Sequence, residues 1–245
     1  MSDSLVIIPT YNEKENIVSI IEAVFSLPKL FHVLIVDDGS PDGTADLVKG
    51  LQKKYADCLF IHEREGKLGL GTAYIAGFRW GLARKYAFFT EMDADFSHPP
   101  KDLVRLYDAC LEKNADVAVG SRYVKGGKVV NWPFNRIVLS YGASLYVRML
   151  TLMPVKDPTA GFVCYRRSVL ETMDFDKIKF IGYAFQIEMK FASRMLGFKI
   201  IEVPITFTDR IEGTSKMSKG IIKEAVFGVL EMRWRSFWSS YAKGK

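Results

Sequence analysis

The chain has 245 residues, 49% of them hydrophobic, and a formal net charge of +6. This length and composition predict one large domain, or one domain with an appendage, around an ample buried core. Its three cysteines and three histidines are widely spaced, which argues against a disulfide framework and against a zinc cluster. No signal peptide and no apolar run of about 18 residues is visible, so we expect a cytoplasmic protein unless another element tethers it.

The positive charge is concentrated at the C-terminal end of the sequence. Residues 219–245 contain six cations and two acids, a net charge of +4, whereas the preceding 218 residues carry only +2. A basic segment rich in aromatic residues is typical of contact with an anionic surface, either a membrane or a nucleic acid. Because the rest of the chain is nearly neutral and has no recognised nucleic-acid motif, we expect a membrane surface and no nucleic-acid partner.

Short runs rich in Val and Ile alternate with amphipathic segments through the first half of the chain. The pattern predicts strands at 5–9, 32–37, 58–62, 86–92 and 116–120, and helices at 13–27, 42–55, 70–84 and 100–113. This alternation indicates βαβ units, and therefore an α/β fold with a mostly parallel central sheet flanked by helices.

The second half of the chain is less regular. The pattern predicts, in order, a helix at 134–153, a short strand at 161–165, a helix at 184–196, a strand at 199–203, a polar loop at 209–219 and a final helix at 219–241. No linker interrupts the sequence. We therefore predict one main domain over residues 1–218 and a basic, amphipathic C-terminal helix over residues 219–245.

Acidic side chains follow three of the predicted strands. Glu13 comes after the first strand, Asp37 and Asp38 end the second, and Asp93 and Asp95 follow the fourth. Because ligands bind beyond the carboxyl ends of parallel strands, we expect these acids to share one crevice. An Asp-x-Asp pair at such an edge suits a divalent cation that holds a diphosphate. The alternative is that these residues only end strands as turn formers.

Basic side chains are predicted to lie near the same edge. Arg122 ends the fifth strand, where a guanidinium can hold phosphate oxygens in bidentate fashion; a surface salt bridge is the alternative. Arg136 begins the helix that follows, and Arg210 and Lys216 lie in the polar loop, from which they can close over a leaving group. His98 is the one histidine near the acids in sequence, and we favour a structural role for it over a catalytic one.

Seven short segments carry a more specific pattern. They are Pro-Thr-Tyr-Asn-Glu at 9–13, Val-Asp-Asp-Gly-Ser-Pro-Asp-Gly-Thr at 36–44, Met-Asp-Ala-Asp-Phe-Ser-His-Pro at 92–99, Gly-Ser-Arg-Tyr at 120–123, Asp-Pro-Thr-Ala-Gly-Phe at 157–162, Gly-Tyr-Ala-Phe-Gln-Ile-Glu at 182–188 and Asp-Arg-Ile-Glu-Gly-Thr-Ser-Lys at 209–216. Together they resemble family 2 glycosyltransferases of the GT-A fold. More narrowly, they resemble the dolichyl- or polyprenyl-phosphate mannosyltransferases, over about residues 5–217.

The resemblance implies GDP-mannose as donor, Mg2+ or Mn2+ as cofactor, and a polyprenyl monophosphate as acceptor. It assigns contacts with guanosine to Pro9, Tyr11, Glu13, Val36 and Asp38. It assigns contacts with the donor diphosphate and the metal to Asp93, Ala94 and Asp95. It assigns contacts with donor phosphates or the acceptor phosphate to Arg122, Arg210 and Lys216, and further acceptor contacts to Arg136 and Ser140. The implied catalytic set is Asp95, Arg122, Arg210 and Lys216.

One departure from the family pattern concerns the metal. Some relatives have Gln two residues after the second Asp of the Asp-x-Asp pair, where it can help to bind the metal, and this chain has Ser97 there. A third protein ligand is therefore not expected from that position, and water can replace it.

The implied reaction is an in-line displacement of GDP by the acceptor phosphate, with inversion at the anomeric carbon. A phosphomonoester needs no general base, because its second pKa of about 6 leaves it largely dianionic at neutral pH. The alternatives are a polyprenyl-phosphate glucosyltransferase, or another family 2 enzyme, that uses a UDP-sugar. A catalytically silent sugar-nucleotide-binding subunit is a rival from a different class, which the retained charged residues disfavour.

A lipid acceptor also requires an apolar landing surface. The segment 134–153 and the C-terminal helix both combine apolar side chains with cations, as an interfacial helix does. The alternative is that both helices pack on the protein core. We expect a protein peripheral on the cytoplasmic face of a membrane, held there by its tail or by a membrane-anchoring partner.

Overall fold

The structure, a computed structural model, describes residues 2–209 and 219–244, and only the backbone of residues 219–226. Within these residues the chain forms nine strands: β1 (Ser4–Thr10), β2 (His32–Asp37), β3 (Leu59–Glu63), β4 (Phe88–Glu91), β5 (Val117–Ser121), β6 (Lys128–Val130), β7 (Val163–Arg166), β8 (Ile200–Pro204) and β9 (Thr206–Thr208). It also forms eight α-helices: α1 (Ile17–Phe25), α2 (Thr44–Gln52), α3 (Leu70–Leu82), α4 (Asp102–Glu112), α5 (Phe134–Thr151), α6 (Arg167–Thr172), α7 (Ala184–Met195) and α8 (Lys219–Arg235).

A seven-stranded sheet forms the centre of the molecule, in the order β3-β2-β1-β4-β7-β5-β8. The pairs among β1 to β4, and the pair of β5 with β8, are parallel, whereas β7 runs antiparallel to both of its neighbours. The short strands β6 and β9 pair separately in a two-stranded ribbon. The carboxyl ends of β1, β2, β4 and β5 therefore meet at one edge of the sheet.

Helices cover both faces of this sheet, because its central strands are apolar on both sides. On β1, for example, Leu5 and Ile7 belong to the core shared with α3 and α7, while Val6 and Ile8 belong to the core shared with α1, α2 and α4. Gly77 lets α3 lie close against the sheet, since a Cβ there would be 2.5 Å from Cγ2 of Ile7.

The predicted mostly parallel α/β architecture is confirmed, and most predicted elements match within a few residues. The antiparallel direction of β7 and the ribbon of β6 and β9 are findings of the structure. The final helix ends at Arg235 rather than near residue 241. Beyond it, Ala242 forms an antiparallel bridge with Met173. Of the predicted loop at 209–219, residues 210–218 lie outside the described part of the chain.

The C-terminal helix α8 packs on the rest of the molecule, next to α7 and α5. Val229 and Met232 of α8, together with Tyr241, are buried in the same core as α3 and α7. The boundary at residue 218 stays a prediction. Among the helices that the structure describes, none is sufficiently long and apolar to cross a membrane.

Candidate active site

A cavity of about 480 Å³ opens at the carboxyl edge of the sheet. It is lined by nine of the predicted site residues: Pro9, Tyr11, Glu13, Asp38, Asp93, Ala94, Asp95, Arg122 and Arg136. The structure thus brings together the acids that follow β1, β2 and β4 and the arginine that follows β5, as expected for an open parallel sheet.

The loop after β4 is held by contacts on two sides. The Tyr74 hydroxyl donates a hydrogen bond to Oδ1 of Asp93 at 3.2 Å, and Nδ1 of His98 accepts one from the Asp93 backbone N–H at 3.1 Å. Asp95 accepts a hydrogen bond from the Ser97 N–H at 3.1 Å. Between them Phe96 has a φ of 60°, a left-handed conformation that is costly for a bulky residue. Such strain, where contacts enforce it, is typical of functional loops.

The pair Asp93 and Asp95 fits a divalent metal that is bound partly by substrate. The side chain of Asp93 is 39% exposed, while Asp95 is nearly buried in the cavity wall. Within the described residues, no three His, Cys, Asp or Glu side chains are grouped so that they could hold a metal ion. Mg2+ is usually bound by one or two carboxylates together with waters and substrate phosphates, so two aspartates suffice for such a site.

The acid at the end of β2 is paired within the wall of the cavity. Oδ1 of Asp38 lies 3.0 Å from Nε of Arg64, and both side chains are almost fully buried. Burial raises the pKa of Asp38 above its ordinary value, and Arg64 opposes part of that rise. Nearby, the Lys67 ammonium lies 5.0 Å from the centre of the Tyr11 ring. A carboxylate can accept hydrogen bonds from a nucleobase, and an aromatic ring can stack on it.

Two residues predicted near this end have other surroundings. Asp37 accepts hydrogen bonds from the hydroxyls of Thr10 and Ser40, so it holds the turn after β2. Val36 is fully buried in β2 and is not among the residues that line the cavity.

Arg122 also lines the cavity, where it forms a buried ion pair. Its Nε and Nη2 donate to the two carboxylate oxygens of Asp157 at 2.8 and 2.7 Å, and Nη2 also donates to the Thr159 hydroxyl at 2.8 Å. Although burial raises the pKa of Asp157, the Arg122 guanidinium lowers it below its ordinary value. The salt bridge considered from the sequence therefore exists, but it is buried and fixes the guanidinium beside the cavity.

The mouth of the cavity is bordered by α5 and the ribbon of β6 and β9. Arg136 forms an ion pair with Asp209 at 2.8 Å, and its guanidinium lies 4.0 Å from the centre of the Trp132 ring. Ser140 accepts a hydrogen bond from the Tyr123 hydroxyl at 2.7 Å and does not line the cavity. The predicted residues Arg210 and Lys216 lie outside the described residues.

Several polar residues behind the cavity were not singled out from the sequence. Glu91 and Lys190 are fully buried; burial raises the pKa of Glu91 to about 8 and lowers the pKa of Lys190 to about 8. The Lys190 ammonium donates to the backbone carbonyls of Ala160 and Gln186 at 2.6 and 2.8 Å. In the sequence, Glu91 is the last residue of β4, and Lys190 lies two residues after the motif at 182–188.

Comparison with known proteins agrees with this geometry. Residues 5–174 match the family described as Glycosyl transferase family 2. A polyprenol monophosphomannose synthase from Mycolicibacterium smegmatis is 50% identical over 93% of this chain and 86% of its own length. An undecaprenyl-phosphate mannosyltransferase from Micrococcus luteus is 47% identical over 94% of this chain and 95% of its own length.

Solved structures share the fold at low sequence identity. A mannosyltransferase from Pyrobaculum calidifontis, in complex with GDP-Man and Mn2+, has a TM-score of 0.62 at 17% identity; the match covers 98% of this chain and 66% of that chain. A glucosyl-3-phosphoglycerate synthase from Mycobacterium tuberculosis has a TM-score of 0.64 at 18% identity, over 94% of this chain and 79% of that chain.

These likenesses confirm the predicted GT-A fold. The sequence match covers both the acidic loop after β4 and the arginine after β5. The motifs, the cavity at the sheet edge and the relatives all agree, and the chain belongs to glycosyltransferase family 2.

Proposed function

We propose that this enzyme transfers mannose from GDP-mannose to a polyprenyl monophosphate, with inversion, giving polyprenyl phosphomannose and GDP. The observation that carries the proposal is one cavity lined both by two aspartates, Asp93 and Asp95, and by two arginines, Arg122 and Arg136. The names of two relatives at 50% and 47% identity support the same chemistry.

The donor nucleoside is assigned to the wall formed by Pro9, Tyr11, Glu13 and Asp38, all of which line the cavity. Asp38 is held there by Arg64, and a fixed carboxylate can accept hydrogen bonds from the ring and amino N–H groups of guanine. For Val36, whose side chain faces the core, the contact with guanosine stays a prediction.

The donor diphosphate is assigned to the loop with Asp93, Ala94 and Asp95. These two carboxylates would hold Mg2+ or Mn2+, which when bound supplies positive charge against the leaving diphosphate. His98 and Tyr74 keep the loop in place through the hydrogen bonds to Asp93.

The acceptor phosphate is assigned to the arginines that line the cavity. Arg122, fixed by Asp157, and Arg136, at the start of α5, present guanidinium groups to the same space, and Ser140 lies one turn further along α5. Arg210 and Lys216, outside the described residues, complete the predicted set. These cations orient the phosphate dianion toward the anomeric carbon and stabilise the charge that leaves with GDP.

The membrane surface is assigned to the outer faces of α5 and α8, which contact each other. On α5 the large exposed apolar residues are Phe134, Val138, Leu139, Tyr141, Leu145 and Met149, and on α8 and just beyond it they are Phe227, Leu230, Trp234, Phe237 and Trp238. Isolated exposed apolar side chains are common, but two neighbouring helices with this many form a patch typical of an interaction site. Because α5 also carries Arg136, the patch begins beside the mouth of the cavity.

Incubation with radiolabelled GDP-mannose and a panel of polyprenyl phosphates, followed by extraction into organic solvent, tests the proposal. We expect metal-dependent, extractable label, and competition by GDP that exceeds competition by UDP. Label transfer from UDP-glucose but not from GDP-mannose would favour the alternative donor, and no transfer from either would refute the assignment.

A further inference from the structure

Glu188 of α7 is a fully buried carboxylate that receives four hydrogen bonds. Oε2 accepts from the backbone N–H groups of Lys179 and Phe180 at 2.8 and 2.9 Å. Oε1 accepts from Nη2 of Arg235 at 2.6 Å and from the Tyr241 hydroxyl at 3.1 Å. A buried carboxylate is stable only when it is paired and hydrogen-bonded, so these four donors account for its burial.

One oxygen of Glu188 holds the segment 179–183, which forms part of the cavity wall. Gly182 and Tyr183 line the cavity directly, as Arg122 does. The same segment is fixed from the other side, since the Ile181 carbonyl accepts the N–H of Gly71 at 2.8 Å.

The other oxygen of Glu188 holds the C-terminal part of the chain. Arg235 is the last residue of α8, and Tyr241 precedes the bridge between Ala242 and Met173. Lys177, which precedes the segment 179–183, donates to the Ala242 carbonyl at 2.8 Å, so a second contact joins this segment to the C-terminal part of the chain. The Glu188 side chain therefore joins α8 to the segment 179–183 of the cavity wall. The outer face of α8 carries the exposed Trp234.

We infer that Glu188 is a positioning residue for sugar transfer, which sets the place of Gly182 and Tyr183 in the cavity through its contact with Arg235. The inference rests on the proposed function, because the step that Glu188 is expected to affect is the transfer of mannose to the acceptor phosphate in that cavity. Loss of the arginine leaves a buried carboxylate without its counter-charge, so the loop that shares this carboxylate must shift or take in water.

Arg235→Gln removes the charge and keeps most of the side-chain length. We expect kcat/KM for the lipid phosphate to fall by about 10-fold to 100-fold, because displacement of positioning groups by about 1 Å has effects of that size. Binding of GDP in the presence of Mn2+ should not change, since the proposed nucleoside contacts lie on β1 and in the loops that follow β1 and β2. Arg235→Lys should recover part of the loss.

Arg233→Gln is the matched control, because it removes one cation from the same turn of α8, and Arg233 lies against Phe237 rather than Glu188. Any fall of kcat/KM in Arg233→Gln measures the lost attraction to anionic lipid, and the fall in Arg235→Gln should exceed it. Tyr241→Phe removes the second hydrogen bond to Oε1 without a change of charge, and should lower kcat/KM in the same direction. Thermal melting of each variant reports whether it is folded.

Equal kcat/KM for the wild type, Arg235→Gln and Tyr241→Phe would overturn the inference, and so would an equal loss in Arg233→Gln. If Arg235→Gln does not fold, Tyr241→Phe alone is the test: a lower kcat/KM supports the inference, and an unchanged kcat/KM overturns it. Failure of the proposed function has a different signature, because the wild type itself would then transfer no label from GDP-mannose to the lipid.

Discussion

His98 and Asp93 are joined by a hydrogen bond in which the histidine is the acceptor. Nδ1 of His98 receives the backbone N–H of Asp93 at 3.1 Å, so this ring nitrogen is the acceptor of the bond. The imidazole stacks on Phe162 at an interplanar angle of 8°, which fixes its orientation. His98 therefore supports the acidic loop, in agreement with the structural role favoured from the sequence.

His98→Phe tests this support. The substituted ring can keep the stacking on Phe162, but the Asp93 N–H loses its acceptor, and the loop with the proposed metal ligands loosens. We expect a 10-fold to 100-fold loss of metal affinity or activity, roughly as for other residues that orient metal ligands. The concentration of Mn2+ that gives half-maximal activity is the measurement. His62→Phe, in β3 and away from the cavity, is the control, and an unchanged Mn2+ requirement in His98→Phe would contradict the prediction.

Asp95→Ala tests the proposed diphosphate and metal site directly. We expect turnover to fall by at least about 10²-fold, the usual effect of removing one electrostatic contact with a transition state. The fold should persist, because Asp95 lines the cavity and does not belong to either hydrophobic core cluster. Turnover and thermal melting are measured together, with the exposed Asp46→Ala as control. Undiminished turnover in Asp95→Ala would refute the assignment.

Asp157→Asn tests the buried pair with Arg122. Removing one partner leaves a buried cation without a counter-charge, which costs about 3 to 5 kcal/mol in the free energy of unfolding. A double variant, Arg122→Met with Asp157→Leu, should recover most of that stability, since apolar replacements of a buried pair are often neutral. Urea denaturation measures both.

The double variant also separates the two roles of Arg122. It should remain inactive in mannose transfer, because the guanidinium proposed to hold phosphate is absent. Activity near that of the wild type would mean that the pair only stabilises the fold.

The parts of the fold that the sequence predicts best are those set by local pattern. β1 and β2 are apolar runs that end in polar residues, so both their extent and the position of Tyr11 and Asp38 at the sheet edge follow from residue order. The prediction of one shared crevice needed only the rule for parallel strands.

The local sequence pattern does not predict pairing between residues that are distant in the sequence. The residues of β7, Val163–Arg166, do not indicate that this strand lies antiparallel between β4 and β5. The strands β6 and β9 have only three residues each, which is too short for a recognisable alternation. The partner of Arg122 lies 35 residues away. Glu188 and Lys190 belong to a helix in which charged residues would ordinarily face solvent, yet both are fully buried.

Lys190→Met tests the buried lysine through pH. The pKa of Lys190 is about 8 in the folded protein and 10.5 in its ordinary environment, chiefly because of burial. Between these values the unfolded state binds more protons, so the contribution of Lys190 makes the wild type more stable as pH rises from 8 to 10.5 and is lost as pH falls through 8.

The expected size of this change is about 3 kcal/mol over the whole window, from the shift in pKa. Other groups titrate in the same range, so the quantity to follow is the difference in free energy of unfolding between wild type and Lys190→Met. It should increase with pH between 8 and 10.5. Two parallel stability curves would contradict a depressed pKa for Lys190.

The double variant Trp234→Glu, Trp238→Glu tests the proposed membrane surface. Both rings are largely exposed, so the substitutions should leave the core intact, whereas a truncation before α8 would also remove Val229, Met232 and Tyr241 from it. Each lost aromatic contact removes about 1.5 to 3 kcal/mol of apolar transfer energy, enough to lower binding at least about tenfold. Flotation with anionic liposomes measures the bound fraction. Leu111→Glu, on α4 at the opposite face of the sheet, should float like the wild type, and an equal bound fraction for all three proteins would remove α8 from the membrane contact.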